Sequence, residues 1–227
     1  MASSCTCATV QRMQVRTRHT PAFGVARLQL APGEAVQADY AALVATSYGV
    51  LVEPRLRGGS RNRTRPTTFT APPEGGWIDL APSVPGDVYV LELDGMSGWC
   101  VARRSTLAAA ATVQVEPNWP GFRALFGTEV GFLEHVSGAG TMVLACCGTV
   151  DLITLEPAEL ITVEPGYLLA YSDHTQSRLR AVSQSLPQSV RTGEGLVLDF
   201  AGPGQLLTQT RNPRSFGDWV AAIGDHR

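Results

Sequence analysis

The chain has 227 residues, 44% of them hydrophobic and 17% charged, with a formal net charge of −2. That balance describes a globular chain long enough to bury a substantial core, and it excludes disorder as the dominant state. No apolar run reaches the roughly 18 uncharged residues of a membrane span, and the N-terminal MASSCTCATVQRM lacks the apolar segment of a secretory signal. The expected address is cytoplasmic, with no transmembrane segment.

In chain order, residues 1–13 read as a disordered tail. Cys5 and Cys7 lie in it with no nearby His or Cys to complete a metal site. From residue 23 to residue 210, short apolar runs rich in β-branched and aromatic residues alternate with Pro and Gly. Val88–Leu91, Val150–Leu155 and Leu196–Phe200 are examples, and the pattern is that of many strands. Cys146 and Cys147 are neighbours in an extended run, so their side chains point to opposite faces and no unstrained disulfide joins them. At the C-terminus Asn212 suits a cap and Pro213 a first helical position. Phe216, Trp219, Val220 and Ile223 then form one stripe, so the spacing predicts a helix over 213–223 whose apolar face packs against the sheets.

The apolar runs recur in a longer order. Leu28–Glu34 leads to Leu43–Ala45 and Val50–Val52; Ile78–Pro82 leads to Pro85–Asp87 and Leu107–Ala109; Ile153–Glu159 leads to Leu168–Ala170. Gly131, Gly138 and Gly140 each lie 64 positions before Gly195, Gly202 and Gly204. Glycine tolerates positive φ and close backbone approach, so these six mark repeated β-turns. The expectation is an all-β fold. It is a single domain over 14–224, with three tandem β-sandwich repeats (about 14–76, 77–145 and 146–211), approximate internal three-fold symmetry and a short C-terminal α-helix.

Several segments resemble one family in an ordered series: Leu80–Pro82 through Asp87, Gly131–Leu133 to Gly140, Val163–Ala170, and Gly202–Gly204 with Gln209–Arg211. They are similar to the altered-inheritance-of-mitochondria, or mitochondrial biogenesis, family, which is also classed as TRAP-like after the tryptophan-binding RNA attenuator. The resemblance covers roughly residues 14–220 and implies a triplicated TRAP-like β sandwich. In mitochondria it implies a link to inner-membrane organisation and respiratory-complex assembly, and it carries over no catalytic residues. The chain departs from the family at Tyr167, where histidine is common, and at Asp39–Ala42, where a glycine turn is usual.

Candidate chemistries are few. Ser172-Asp173-His174 places three triad residue types side by side, but successive residues of an extended chain project alternately and cannot hydrogen-bond in series. The four histidines, at 19, 135, 174 and 226, include no H-x-H; His135 and His174 could meet across repeats and hold a metal in a cryptic metal-dependent enzyme. The paired glycines neither continue as G-x-G-x-x-G nor precede a Walker lysine. Asp79, Asp87, Glu156 and Glu159 fit turn chemistry at strand ends.

All 18 basic residues are arginine, and residues 1–65 hold nine of them against three acids, whereas 66–227 hold nine against seventeen. Five, Arg55, Arg57, Arg61, Arg63 and Arg65, fall in one acid-free stretch. Such a loop suits a partner surface, or the phosphates of RNA or an anionic surface. The function these features favour is a non-enzymatic binding or scaffold protein without a cofactor. It is expected to be a homo-oligomer, because small sheets leave edges that another subunit covers, and to bind an unknown protein partner.

Overall fold

Alternation of apolar and polar residues builds the strands. In Val25–Leu30 the side chains of Ala26, Leu28 and Leu30 are buried while Arg27 and Gln29 face the other way, the period of two that a sheet imposes. The computed structural model describes residues 13–54, 66–116, 132–182 and 195–224. Among them are β1 (Gln14–Arg18), β2 (Val25–Leu30), β3 (Ala35–Asp39), β4 (Leu43–Thr46), β5 (Leu51–Pro54), β6 (Pro66–Thr70) and β7 (Gly76–Leu80). There follow β8 (Val88–Asp94), β9 (Trp99–Ala102), β10 (Thr106–Ala110), β11 (Val113–Glu116) and β12 (Leu133–Ala145). The last are β13 (Val150–Leu155), β14 (Leu160–Val163), β15 (Leu168–Ser172), β16 (Gln176–Ala181), β17 (Leu196–Ala201) and β18 (Gly204–Gln209), before the helix α1 (Pro213–Gly224).

One pairing scheme is met three times, always antiparallel. In the first set β2 and β4 flank β7 while β3 and β5 flank β6. In the last, β13 and β15 flank β18 while β14 and β16 flank β17. In the middle set the 13-residue β12 takes both central places. Its first half lies between β9 and β11, and its second half between β8 and β10. Each set has a register shift at the same place: between Leu43 and Ala45, between Thr106 and Ala108, and between Leu168 and Ala170.

Neighbouring sets are joined by strand pairing. β3 pairs with β10, Ala38 opposite Ala108, and β9 pairs with β15, Val101 opposite Ala170. These joints extend one sheet through eleven strands, leaving a four-stranded sheet ending in β4 and β1 and a three-stranded sheet ending in β14 and β16. β1 lies outside the scheme, as an added edge on β2. The sequence opens its second copy at residue 77, but Gly76–Leu80 pairs with β2 and β4 and so lies in the first set.

Three apolar clusters fill the sets. The first gathers Leu28, Phe69 and Ile78, and takes in Leu107 and Val143 from the next set. The second is built on Trp99, Val136 and Met142, and takes in Leu169 and Leu207 in the same way. The third holds Leu198, Phe200 and Tyr171, the two rings edge to face with centroids 5.0 Å apart. Each large aliphatic side chain so buried contributes about 1.5–3 kcal/mol.

The C-terminal helix is present as expected, with the Asn212 side-chain oxygen accepting from the Arg214 N–H at 2.9 Å. Its apolar stripe does not pack against the sheets: no residue of α1 is buried, and Trp219 is 61% exposed. Among the described residues, none of the three core clusters contains a residue of α1.

Candidate functional site

The Arg55, Arg57, Arg61, Arg63 and Arg65 stretch lies outside the described residues, between β5 and β6, as do Gly131, Cys5, Cys7 and His226. Of the other marked glycines, Gly195 bends the chain into β17, Gly202 lies between β17 and β18, and Gly204 opens β18. Gly138 and Gly140 differ from expectation, since they stand inside β12 rather than in a turn, both with positive φ. At Gly138, with φ 103°, an added Cβ would also run into the Thr112 carbonyl oxygen, so only glycine lets β12 bend from one sheet half to the other.

His135 and His174 are brought together, with Asp173 between them. β12 carries His135 opposite Cys100 of β9, and the turn after β15 carries Asp173 and His174. His135 Nε2 lies 3.1 Å from Asp173 Oδ2, and His174 Nδ1 lies 3.9 Å from Asp173 Oδ1. The Gly98 N–H donates to Asp173 Oδ2 at 3.0 Å, and the Asp173 N–H donates back to the Gly98 carbonyl at 3.0 Å. A Cβ on Gly98 would fall 2.5 Å from both Asp173 Oδ2 and His135 Nε2, so the glycine is required for this closeness. The arrangement clasps the β8–β9 turn of the middle set to the β15–β16 turn of the last.

The clasp is not a triad. Ser172 is buried, its Oγ 2.7 Å from Thr175 Oγ1 and accepting from the Gln205 N–H at 3.2 Å. Among the described residues no group of three or more His, Cys, Asp or Glu is placed to hold a metal ion. Behind the clasp, burial pushes the Cys100 thiol up to about 11 and raises the Tyr171 hydroxyl, so both stay protonated at neutral pH. Burial likewise raises the Glu134 carboxyl, 3.5 Å from Arg103.

A second polar centre was not anticipated from sequence. Asp79, next to the end of β7 and 4% exposed, accepts from Arg27 Nε and Nη2 at 2.8 Å each and from Arg18 Nη2 at 2.8 Å. The Arg27 fork, then Arg18, holds its carboxyl below the ordinary aspartate range. Arg27 also stacks over Trp77, 3.9 Å from the ring centroid. The signal was present as alternation: Arg16 and Arg18 in β1 and Arg27 in β2 share the face away from the core. Beside them opens a surface cavity of about 470 Å³ lined by Gln14, Gln29, Glu34, Ser47, Glu74 and Trp77. Asp87 Oδ1 and Glu159 Oε2, by contrast, accept from the adjacent backbone N–H groups of Val88 and Glu156, as turn carboxylates do.

The fold and these centres define an all-β protein of serially joined antiparallel sheets, with its polar clusters tied into ion pairs and backbone hydrogen bonds. The chain belongs to the mitochondrial biogenesis AIM24 family, whose model matches residues 15–211. It is 28% identical over 143 residues to an uncharacterised protein of Streptococcus pyogenes serotype M6, covering 62% of this chain and 56% of that one. The chain thus spans about half the length of this curated relative. The crystal structure of a Streptococcus pyogenes protein superposes with a TM-score of 0.76 at 21% identity, over 93% of this chain and 100% of that one. That likeness concerns the fold. Among the described residues, no helix is long and apolar enough to cross a membrane.

Proposed function

We propose that this protein is a non-enzymatic binding or scaffold protein that self-associates, built from three TRAP-like β-sandwich units with approximate internal three-fold symmetry. The observation that carries this reading is the repeated joint. The same two strand positions that join the sets within the chain, at β3–β10 and β9–β15, are left as sheet edges on β4 and β14. An edge strand presents N–H and C=O groups ready to pair, and assembly by edge addition needs no catalytic group. The polar side chains that converge are saturated by one another, Asp79 by two arginines and Asp173 by His135 and Gly98, which favours holding shape over turning over a substrate.

Light scattering on the full chain across a concentration series tests self-association. The expected mass rises above that of one 24.2 kDa chain. A strict monomer at the highest concentration overturns it.

A further inference from the structure

Each joint links the third strand of a pairing scheme to the second strand of the scheme before it: β10 to β3, and β15 to β9. By the same rule β4, the third strand of the first set, requires a second strand from a preceding set, and β14 requires a third strand from a following one. Among the described residues β4 pairs with β7 and β14 with β17, and each leaves its other edge unpaired.

The registers say how these two edges fit. Ala109 stands opposite Gln37 and Tyr171 opposite Cys100. Counting from the register shifts, Thr46 occupies the place of Ala109 and Tyr171, and Thr162 that of Gln37 and Cys100. Thr46 would then face Thr162, and Ala45 would face Val163. Both edges are open to solvent: Val44 is 60% and Leu160 73% exposed. Exposed Glu156, Glu159 and Glu164 bracket β14, whereas the arginines of the sheet ending in β4, Arg16, Arg18 and Arg27, lie on β1 and β2, on the far side of β7.

We propose that β14 of one molecule pairs antiparallel with β4 of a second copy, repeating between molecules the joint that links the sets within one. This rests on the self-association reading above and names its surface. The contact is head to tail, so each open assembly keeps one free β4 and one free β14 until a ring closes. The joint also differs in chemistry from the inner ones. Val143 and Leu207 are buried where they reach into the preceding set's core, and the corresponding place in β7 holds Asp79 with its arginines. The intermolecular joint therefore lacks the apolar contact that seals the inner ones, and is weaker than they are.

Crosslinking tests it in chains carrying Cys5→Ser and Cys7→Ser, which removes the two tail thiols and leaves the three buried ones. One chain carries Thr46→Cys and the other Thr162→Cys; cross-strand partners lie close enough for a disulfide. Mixing the two and oxidising mildly is expected to give a linked pair at least tenfold above either chain alone. No link in the mixture overturns the proposal, and so does a Thr46→Cys/Thr162→Cys chain that links only within itself. Light scattering on the same samples separates the two readings, since assembly without the link removes this joint and leaves self-association standing. Hydrogen exchange on the unmodified chain is a second measure: residues 43–46 and 160–163 gain protection together as concentration rises, and unchanged protection overturns the joint.

Discussion

Two places in the pairing scheme differ between the inner joints and the β4 end, one in exposure and one in chemistry. At the inner joints Leu107 and Leu169 occupy the register-shift position and are buried, 4% and 0% exposed; the first set has Val44 there, at 60%. One place further along the neighbouring strand, Val143 and Leu207 are apolar and fully buried, whereas Asp79 is buried only by virtue of two arginines. The backbone scheme is thus indifferent to whether a face is a joint or an end. Side chains decide how firmly the face is held: apolar residues make the inner joints permanent, and a compensated charge lets the β4 face stand open to water in a single molecule.

The harshest way to break this distinction is to give an inner joint the chemistry of the end. Leu207→Asp places a carboxylate at a fully buried position with no arginine provided for it. An uncompensated buried charge costs more than about 4 kcal/mol, comparable to the whole stability of many domains. The expected outcome is loss of the cooperative urea transition followed by circular dichroism; retention of most of the wild-type midpoint would show that the joint tolerates water.

A gentler comparison removes methyl groups from equivalent places. Leu169→Ala is expected to cost about 3 kcal/mol, the usual result of emptying a packed site. Val44→Ala, on an exposed edge, should stay within about 0.5 kcal/mol. Equal losses in chemical denaturation would contradict the assignment of Val44 to an open edge.

At the end face itself, Asp79→Asn weakens a charge-assisted cluster and is expected to cost about 2 kcal/mol. The sign of its pH dependence follows from the lowered carboxyl. A folded-state value below the unfolded one means stability present above the ordinary aspartate range and lost as pH falls through the depressed value. Denaturation midpoints taken down an acid series should therefore converge for the two proteins. A gap that stays constant into strong acid would remove the ion pair as its cause.

What the sequence made legible follows from the physics each signal carries. Strand identity was readable because Leu28, Leu30 and their like alternate with polar residues, and a two-residue period needs no knowledge of the partner strand. The ordered recurrence of apolar runs and glycines pointed to repeated units. Their limits were harder, because Ile78–Leu80 resembles the start of a copy in composition while its pairing with β2 and β4 is a long-range fact. The Gly138 and Gly140 pair suggested a turn, since positive φ serves a turn and a bent strand equally. The histidine positions allow His135 to meet the turn after β15, but Asp173 as the group between the two histidines depends on the β9–β15 joint, a long-range pairing. Asp79 passed for a strand-end carboxylate because its arginines lie 52 and 61 residues away.

The smallest expected effect concerns α1, where a sequence rule succeeded for the helix and failed for its environment. An apolar stripe on a helix ordinarily marks the side that meets a core, yet Trp219, Val220 and Ile223 are 61%, 48% and 55% exposed. Phe216 and Trp219 contact each other, ring centroids 6.0 Å apart. If the cores are complete without the helix, then Trp219→Ser leaves the denaturation midpoint of the dilute protein within about 0.5 kcal/mol of the parent. Phe200→Ala, in the third cluster, by the same measure costs about 3–5 kcal/mol. A loss at Trp219 approaching that of Phe200 in dilute solution would place the helix against a sheet. A loss that emerges only as concentration rises would instead mark the stripe as covered by a neighbouring molecule, because a contact between molecules contributes stability by mass action and one within a molecule does not.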